Sequence, residues 1–439
     1  MVQNKNRPPH HVRNFPRKFQ RGWNVFRKSE LRSTFLYMDN NLKKKQFAFI
    51  FVTTFLNFLG FSIIIPVIPF IVQRYEPNPN TIALYVGLIL SSYAFCQFLA
   101  APALGVLSDR FGRRPILLIS LFGSVIGYLL LGFGGSLAIL FLGRIIDGLT
   151  GGNISTVFAY VADITEPQER GKYFGILGAI GGLGFMLGPA IGGATGAIHL
   201  SAPLFIAAAV TALNMLWGFF FLPESLKKEH KLDKTELSHL NPFGQFSHLL
   251  SIDSLKILFP MAFLYFLAAT MLQGNLSVFT KDILNWGPKD IGFLLFIVGI
   301  VDIFSQGFLT AKLMPVLGDK KLMIFGALLN GIGIMLVGLI FSFHSIYYVL
   351  AVVILLNIGD GVFQPSLSSL ISKSVEPKKQ GRVQGASQSI QAMSRVLGPL
   401  FAAWLYQYGK SLPYFGSGLI VLIALVIFLA NLDKLRSVV

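Results

Sequence analysis

From Phe47 onward the chain is a series of apolar runs of about twenty residues, separated by short polar turns. Each run is long enough to cross a bilayer as a helix. Apolar positions are continuous and not alternating, which predicts helices and excludes the strands of a barrel. The pattern places segments at 47–72, 81–104, 115–134, 137–162, 171–195, 202–222, 256–279, 290–313, 321–342, 345–372, 382–407 and 413–432. Six fall on each side of a charged, irregular stretch, Pro223 to Asp253. The expected architecture is an all-α membrane protein of twelve helices. An N-terminal six-helix bundle covers 47–222, a cytoplasmic linker 223–255 and a C-terminal six-helix bundle 256–432. A basic tail of 1–46 and a short tail of 433–439 flank them.

The two bundles share a repeat. Glu166 to Pro189 reads EPQERGKYFGILGAIGGLGFMLGP, and Glu376 to Pro399 reads EPKKQGRVQGASQSIQAMSRVLGP. Without a gap, Glu166, Pro167, Gly171, Gly175, Ile180, Leu187, Gly188 and Pro189 meet identical residues 210 positions on. A repeat of that period in an apolar chain points to duplicated, pseudo-symmetric membrane bundles. In the first copy Gly184, Gly188 and Gly192 fall on one helical face, with Gly171, Gly175, Gly178 and Gly182 at similar spacing. So much glycine would weaken a helix in water. In lipid, small residues let a neighbouring backbone come close. Pro189 adds an expected bend.

Composition agrees. The chain has 439 residues, 53% hydrophobic and only 13% charged, about half the charge of a soluble domain. The lone cysteine, Cys96, lies in an apolar run and reads as a packed residue, so no disulfide framework or cysteine metal site is possible. The net charge of +17 is unevenly placed, and residues 1–45 hold twelve Lys/Arg against Glu30 and Asp39. The tail has no apolar core of a signal peptide. It reads either as a disordered basic segment on an anionic cytoplasmic leaflet or as sequence upstream of a start at Met38. A basic run beside a membrane is weak grounds for nucleic-acid binding, and none is expected. Lys and Arg gather in alternate loops, which places those loops and both termini in the cytoplasm.

The turn GVLSDRFGRRP (105–115) combines Gly105 and Gly112 with Asp109, Arg110, Arg113 and Arg114. Asp109 can complement a helix N-terminus, and the arginines can reach lipid phosphate or a carboxylate such as Asp163. This turn resembles the loop signature of the major facilitator superfamily. GRIIDG (143–148) resembles its fourth-helix motif, and GFMLGPAIGG (184–193) resembles the fifth-helix motif of its drug–proton antiporters. With YVADITEPQERGKYFG, the likeness is to tetracycline-type efflux proteins and runs from about 47 to 432. The resemblance implies an inner gate linking Asp109, Arg113 and Asp163, and places Arg144 near a proton path. It implies a pliable, tightly packed fifth helix built on Gly184, Gly188, Pro189, Gly192 and Gly193. Tetracycline-type proteins carry histidine where this chain has Asp302, and membrane carboxylates where it has Asn57 and Asn330. The resemblance therefore implies relocated proton machinery. The turn after segment eight, KLMPVLGDKK, reads as a worn copy of 105–115 that keeps only its glycine and basic character.

Charges inside the apolar runs are the candidate chemistry. Arg144 has Asp147 one turn away on its own face; the two are either a self-neutralising pair or a tuned proton site. Asp302, Asp360 and Arg395 stand out in the second half. Apolar surroundings favour a protonated carboxyl group and a nearby guanidinium favours the ionised one, so such a site can switch as access alternates. Asp302 is the preferred carrier, and Asp360 with Arg395 is alternatively a static pair. Neutral polar groups at membrane depth, Asn57, Gln97, Gln273, Asn330 and Gln364, are candidates for the cavity wall; for Asn57 and Gln97 a helix–helix hydrogen bond is the alternative. Tyr93 and Gln97, one turn apart, are placed to face one cavity. No Walker-type loop is present and the histidines show no ligand spacing, so neither ATP nor any cofactor or metal is expected.

The expected function is proton-coupled export of an amphipathic or hydrophobic small molecule from a monomer in the plasma membrane. The partners are its cargo, protons and lipid, anionic at the tail. The alternatives are an uptake permease for a polar solute such as a sugar, and a lipid flippase or accessory membrane protein. A membrane enzyme would need a nucleophile–base pair in the bilayer, and the sequence offers none.

Overall fold

The computed structural model describes residues 43–226, 229, 253–375 and 380–432. The basic tail, most of the linker, the start of the second repeat copy (376–379) and the C-terminal tail lie outside the described residues. Residues 1–50 form one unit and 51–439 another; the packing below concerns residue 51 onward.

Every regular element among the described residues is a helix. The chain runs through α1 Lys43–Ile63, α2 Ile68–Gln73, α3 Pro79–Phe111, α4 Arg113–Phe133, α5 Leu137–Gly151, α6 Ile154–Ile164, α7 Arg170–Gly196 and α8 Ala202–Phe221. The second half holds α9 Asp253–Leu284, α10 Pro288–Phe304, α11 Thr310–Gly338, α12 Ile346–Lys373, α13 Gln380–Tyr408 and α14 Leu412–Ala430.

Ten stretches among the described residues are long and apolar enough to cross a membrane. One of them, Pro288–Phe341, is 54 residues long and breaks at Gly318, whose φ of 75° is outside helical space. It therefore supplies two crossings. The 29-residue α13 is not among the ten, because its first half is rich in Gln, Ser and Arg.

Segment 47–72 is α1 and the short α2, separated by a turn at Ile64–Val67; this is the bent or unwound outer end that Pro66 and Pro69 lead one to expect. Two expected segments need correction. Segment 137–162 is interrupted at Gly152–Asn153, which separates α5 from α6. Segment 290–313 passes through a wide π turn at Ser305–Leu309 before α11 begins.

The duplication is visible in packing. In the first half α4 packs on α5 and α8, and in the second half α11 packs on α12 and α14. Between halves, α3 meets α13 and α7 meets α10, two seams related by exchange of the halves. The repeat survives in detail. A Cβ on Gly188 would strike the Ser62 hydroxyl of α1, and a Cβ on Gly398 would strike the Thr270 hydroxyl of α9. Ser62 bonds back to the carbonyls of Phe58 and Leu59, and Thr270 to those of Phe266 and Leu267. Small residues at these places allow backbones to touch where lipid gives no hydrophobic push.

The seams close at one end. Gly87 of α3 lies against Pro399 and Ala403, while Gly193 and Gly292 lie against each other across α7 and α10. Gly87 stands about 12 Å from the start of its helix at 1.5 Å per residue, far from the Asp109 turn. Toward that turn, Gly171, Gly175, Gly178 and Gly182 of α7 meet nothing within 4 Å. The stripe Gly184, Gly188 and Gly192 packs on the backbone of Phe55–Ile63 as expected.

Candidate functional site

Three groups of residues carry polar chemistry at depth or at the ends of the helices. The first is the turn between α3 and α4. Gly112 adopts φ of 111°, open to glycine and strained for other residues, and lets the chain reverse without a gap between two helices. Arg113 follows and is buried. Its guanidinium pairs with Asp109 at 2.5 Å and with Asp163, at the end of α6, at 3.1 Å. It also donates to the Ser108 hydroxyl at 2.6 Å.

Glu224, just past α8, completes this cluster. Its carboxylate accepts from the backbone N–H of Arg113 at 2.8 Å and of Arg114 at 3.2 Å. A carboxylate on a helix N-terminus satisfies orphan donors and complements the dipole. Ser225 donates to Asp163 at 2.9 Å. Arg114 reaches the carbonyl of Phe219, and Arg110 lies over the ring of Phe111. Gly105 meets only Ser155 of α6.

The corresponding turn of the second half keeps more than its glycine and basic character. Gly318 repeats the positive φ, and Asp319 follows it, buried, where Arg113 follows Gly112. Asp319 pairs with Lys373 at the end of α12 at 2.5 Å and accepts from Ser369 at 3.0 Å. The arrangement matches Arg113–Asp163 with the charges exchanged. Exchange of the charges leaves no identical residues at the matching positions, so the likeness is not legible in the sequence.

The second group is Arg144 and Asp147 on α5. Arg144 is fully buried and pairs with Asp147 at 3.2 Å. Its guanidinium lies 4.2 Å from the ring centre of Tyr93, in cation–π contact. Nε and the second terminal nitrogen have no hydrogen-bond partner among the described residues. Tyr93 accepts from Gln97 at 3.1 Å, and Gln97 also donates to the Gly151 carbonyl, tying α3 to α5. Asn57 donates to Asn153, in the break between α5 and α6, at 2.9 Å.

The third group is Asp302 and Asp360. Asp360 accepts from the Tyr265 hydroxyl at 2.6 Å and from Gln364 at 2.8 Å. Tyr265 is itself stacked on Phe363, ring centres 3.5 Å apart. Asp302 accepts from Gln306 at 2.9 Å. One turn past Asp302, Ser305 lies against Gly361, the neighbour of Asp360, so the two acids stand on packed, neighbouring helical segments. Their hydrogen-bond partners are a phenol and two amides. The expected alternative pairing of Asp360 with Arg395 is not formed among the described residues: Asp360 is held by Tyr265 and Gln364 within its own half.

Arg395 instead lines a small cavity between the halves, with Gln273, Thr270, Phe61, Leu90 and Pro399. The cavity holds about 30 Å³, room for one water. Of the five amides expected on a cavity wall, Gln273 alone lines this one. Asn57, Gln97 and Gln364 are engaged inside their own halves. Asn330 is a correction: it is buried between α11 and α12, bonded to the Leu356 carbonyl, because the two helices close over it.

Tyr265 and Glu224 escaped the sequence reading. A tyrosine in an aromatic-rich run carries no distinguishing signal. Glu224 stood in what reads as a linker, although an acid just after a proline-terminated helix is the residue type that caps a neighbour.

Comparison with known proteins agrees with this geometry. The model of the major facilitator superfamily matches residues 50–255 and 258–437. The chain is 33% identical over 384 residues to the tetracycline resistance protein, class C, of Escherichia coli, covering 88% of this chain and 94% of that protein. It is 27% identical over 394 residues to multidrug resistance protein 2 of Bacillus subtilis (strain 168), covering 88% and 94%. Among solved structures, the crystal structure of the human organic anion transporter MFSD10 superposes with a TM-score of 0.65 at 24% identity, over 88% of this chain and 99% of that one. With paired seams, a duplicated six-helix plan and a charged turn at matching places in both halves, this multi-pass membrane chain belongs to the major facilitator superfamily.

Proposed function

We propose that this protein is a proton-coupled secondary transporter that exports amphipathic or hydrophobic small molecules by alternating access. Twelve crossings form bundles over 47–222 and 256–432, with the Asp109 and Asp319 turns and both termini in the plasma-membrane cytoplasmic face. The halves pivot about the seams α3–α13 and α7–α10. Both seams are tight at the end away from the Asp109 turn, so in this state cargo enters from the cytoplasm.

The observation that carries the reading is the Asp302–Asp360 site. Two carboxyl groups stand on neighbouring helical segments of one bundle, and their hydrogen bonds come from a phenol and two amides. Two close carboxylates repel when both are ionised, and a shared proton relieves that cost. A change in solvent access then changes proton occupancy, which ties proton flow to the pivot. Relatives named for tetracycline and multidrug resistance support a drug-like cargo. Arg113, Asp109, Asp163 and Glu224, at the place of the expected inner gate, tie the ends of α3, α4, α6 and α8 together within the first half.

The test uses purified protein in liposomes loaded with a fluorescent drug. A pH step across the membrane should drive the dye against its concentration gradient, and collapsing the step with an ionophore should stop it. Movement that ignores the pH step, or no movement with any gradient imposed, contradicts the proposal.

A further inference from the structure

Two arginines lie at membrane depth, and their surroundings differ. Arg144 has a carboxylate and an aromatic face. Arg395 lines the cavity between the halves, and among the described residues it makes no ion pair or hydrogen bond. Gln273 lines the same cavity from α9 and also has no hydrogen-bond partner among the described residues. The rest of the wall is apolar: Phe61, Leu90, Ala94 and Pro399.

A guanidinium at membrane depth, half-buried at a cavity wall and without an ion-pair partner, is costly, and such residues mark substrate paths. With no ion-pair partner among the described residues, the guanidinium is left to meet an anion that enters the cavity. We infer that Arg395, with Gln273 beside it, is the specificity-determining site for an anionic group on the cargo, and that the preferred cargo is an amphipathic organic anion such as an aryl carboxylate. The planar fork of the guanidinium takes both oxygens of a carboxylate, the Gln273 amide adds a donor, and the aromatic and aliphatic wall takes the apolar body. At about 30 Å³ the cavity is far smaller than a drug-sized molecule. Seating such a cargo therefore forces the halves apart at this point, and occupancy is linked to the pivot. The inference rests on the transport reading for its cargo, but it concerns binding and needs no proton.

The test is an equilibrium titration of the purified full chain in detergent at one fixed pH, with no gradient. The probes are fluorescein, an anion, and a rhodamine ester, a cation on the same xanthene frame, followed by anisotropy. The wild type should bind fluorescein more tightly than the rhodamine ester. Arg395→Gln should lose fluorescein affinity by about tenfold or more, as expected for a charge-assisted pair, and Arg395→Lys should keep most of it. Gln273→Leu, which keeps the charge, should weaken fluorescein by a smaller factor and serves if Arg395→Gln does not fold. A wild type with no preference for the anion, or Arg395→Gln and Gln273→Leu variants that bind fluorescein as the wild type does, overturns the assignment. Either result leaves proton-coupled export to be judged by the pH-step experiment.

Discussion

The two halves descend from one pattern and bury charge in opposite ways. In the first, Arg144 and Asp147 sit one turn apart on α5 and neutralise each other under the ring of Tyr93. In the second, Asp302 and Asp360 come from different helices and find hydroxyl and amide donors. A closed pair resists change, since separating its members strands a charge in low dielectric. A carboxyl pair held by neutral donors tolerates a proton coming or going. Under the proposed function the contrast gives structural duty to the first half and proton traffic to the second.

Removing the acids of the second half should do the most damage. Asp302→Asn or Asp360→Asn should bring proton-driven dye export to the level of empty liposomes while dye binding stays measurable; export at the wild-type rate would take that residue out of the mechanism. Next comes the closed pair. Arg144→Gln should lower the thermal stability of the purified protein, by about 3–5 kcal/mol for a broken buried pair. Arg144→Gln combined with Asp147→Asn should recover part of that loss. A stable single variant would show that the pair is not structural.

A milder effect is expected at the seam. Gly292→Leu places a side chain where the Gly193 backbone and the Pro189 carbonyl stand. Spin-label distances across α7 and α10 should lengthen at that end, with export several-fold slower. Unchanged distances would deny that the glycines set the closed end. The smallest effect belongs to the charge-exchanged turn. Lys373 is half exposed, and such pairs contribute roughly 1 kcal/mol or less. Lys373→Gln should slow export modestly, and exchanging the two residues, Asp319→Lys with Lys373→Asp, should restore it. In the first half, Arg113→Gln should cost more, because it strips Asp109 and Asp163 of one shared partner.

Much of this was legible in the residue order because it is local. Apolar run length sets the helices, Gly112 and the prolines mark the turns, and Arg144 and Asp147 are three residues apart. What escaped is set by distant contacts. Glu224 reaches Arg113 across 111 positions, and Tyr265 reaches Asp360 across 95. The Asp319–Lys373 pair was hidden for another reason: exchange of the charges keeps the interaction and destroys the letter match. Asn330 shows the reverse error, a polar residue at membrane depth that serves a helix contact and not a cavity.

The most direct test of the central claim is infrared difference spectroscopy of the reconstituted protein between acid and alkaline solution, reading the carbonyl band of protonated carboxyl groups. The account predicts a band in the wild type that persists in Asp147→Asn and disappears in the double variant Asp302→Asn, Asp360→Asn. A band that survives in the double variant and is lost in Asp147→Asn would move the proton site to the first half and contradict the account.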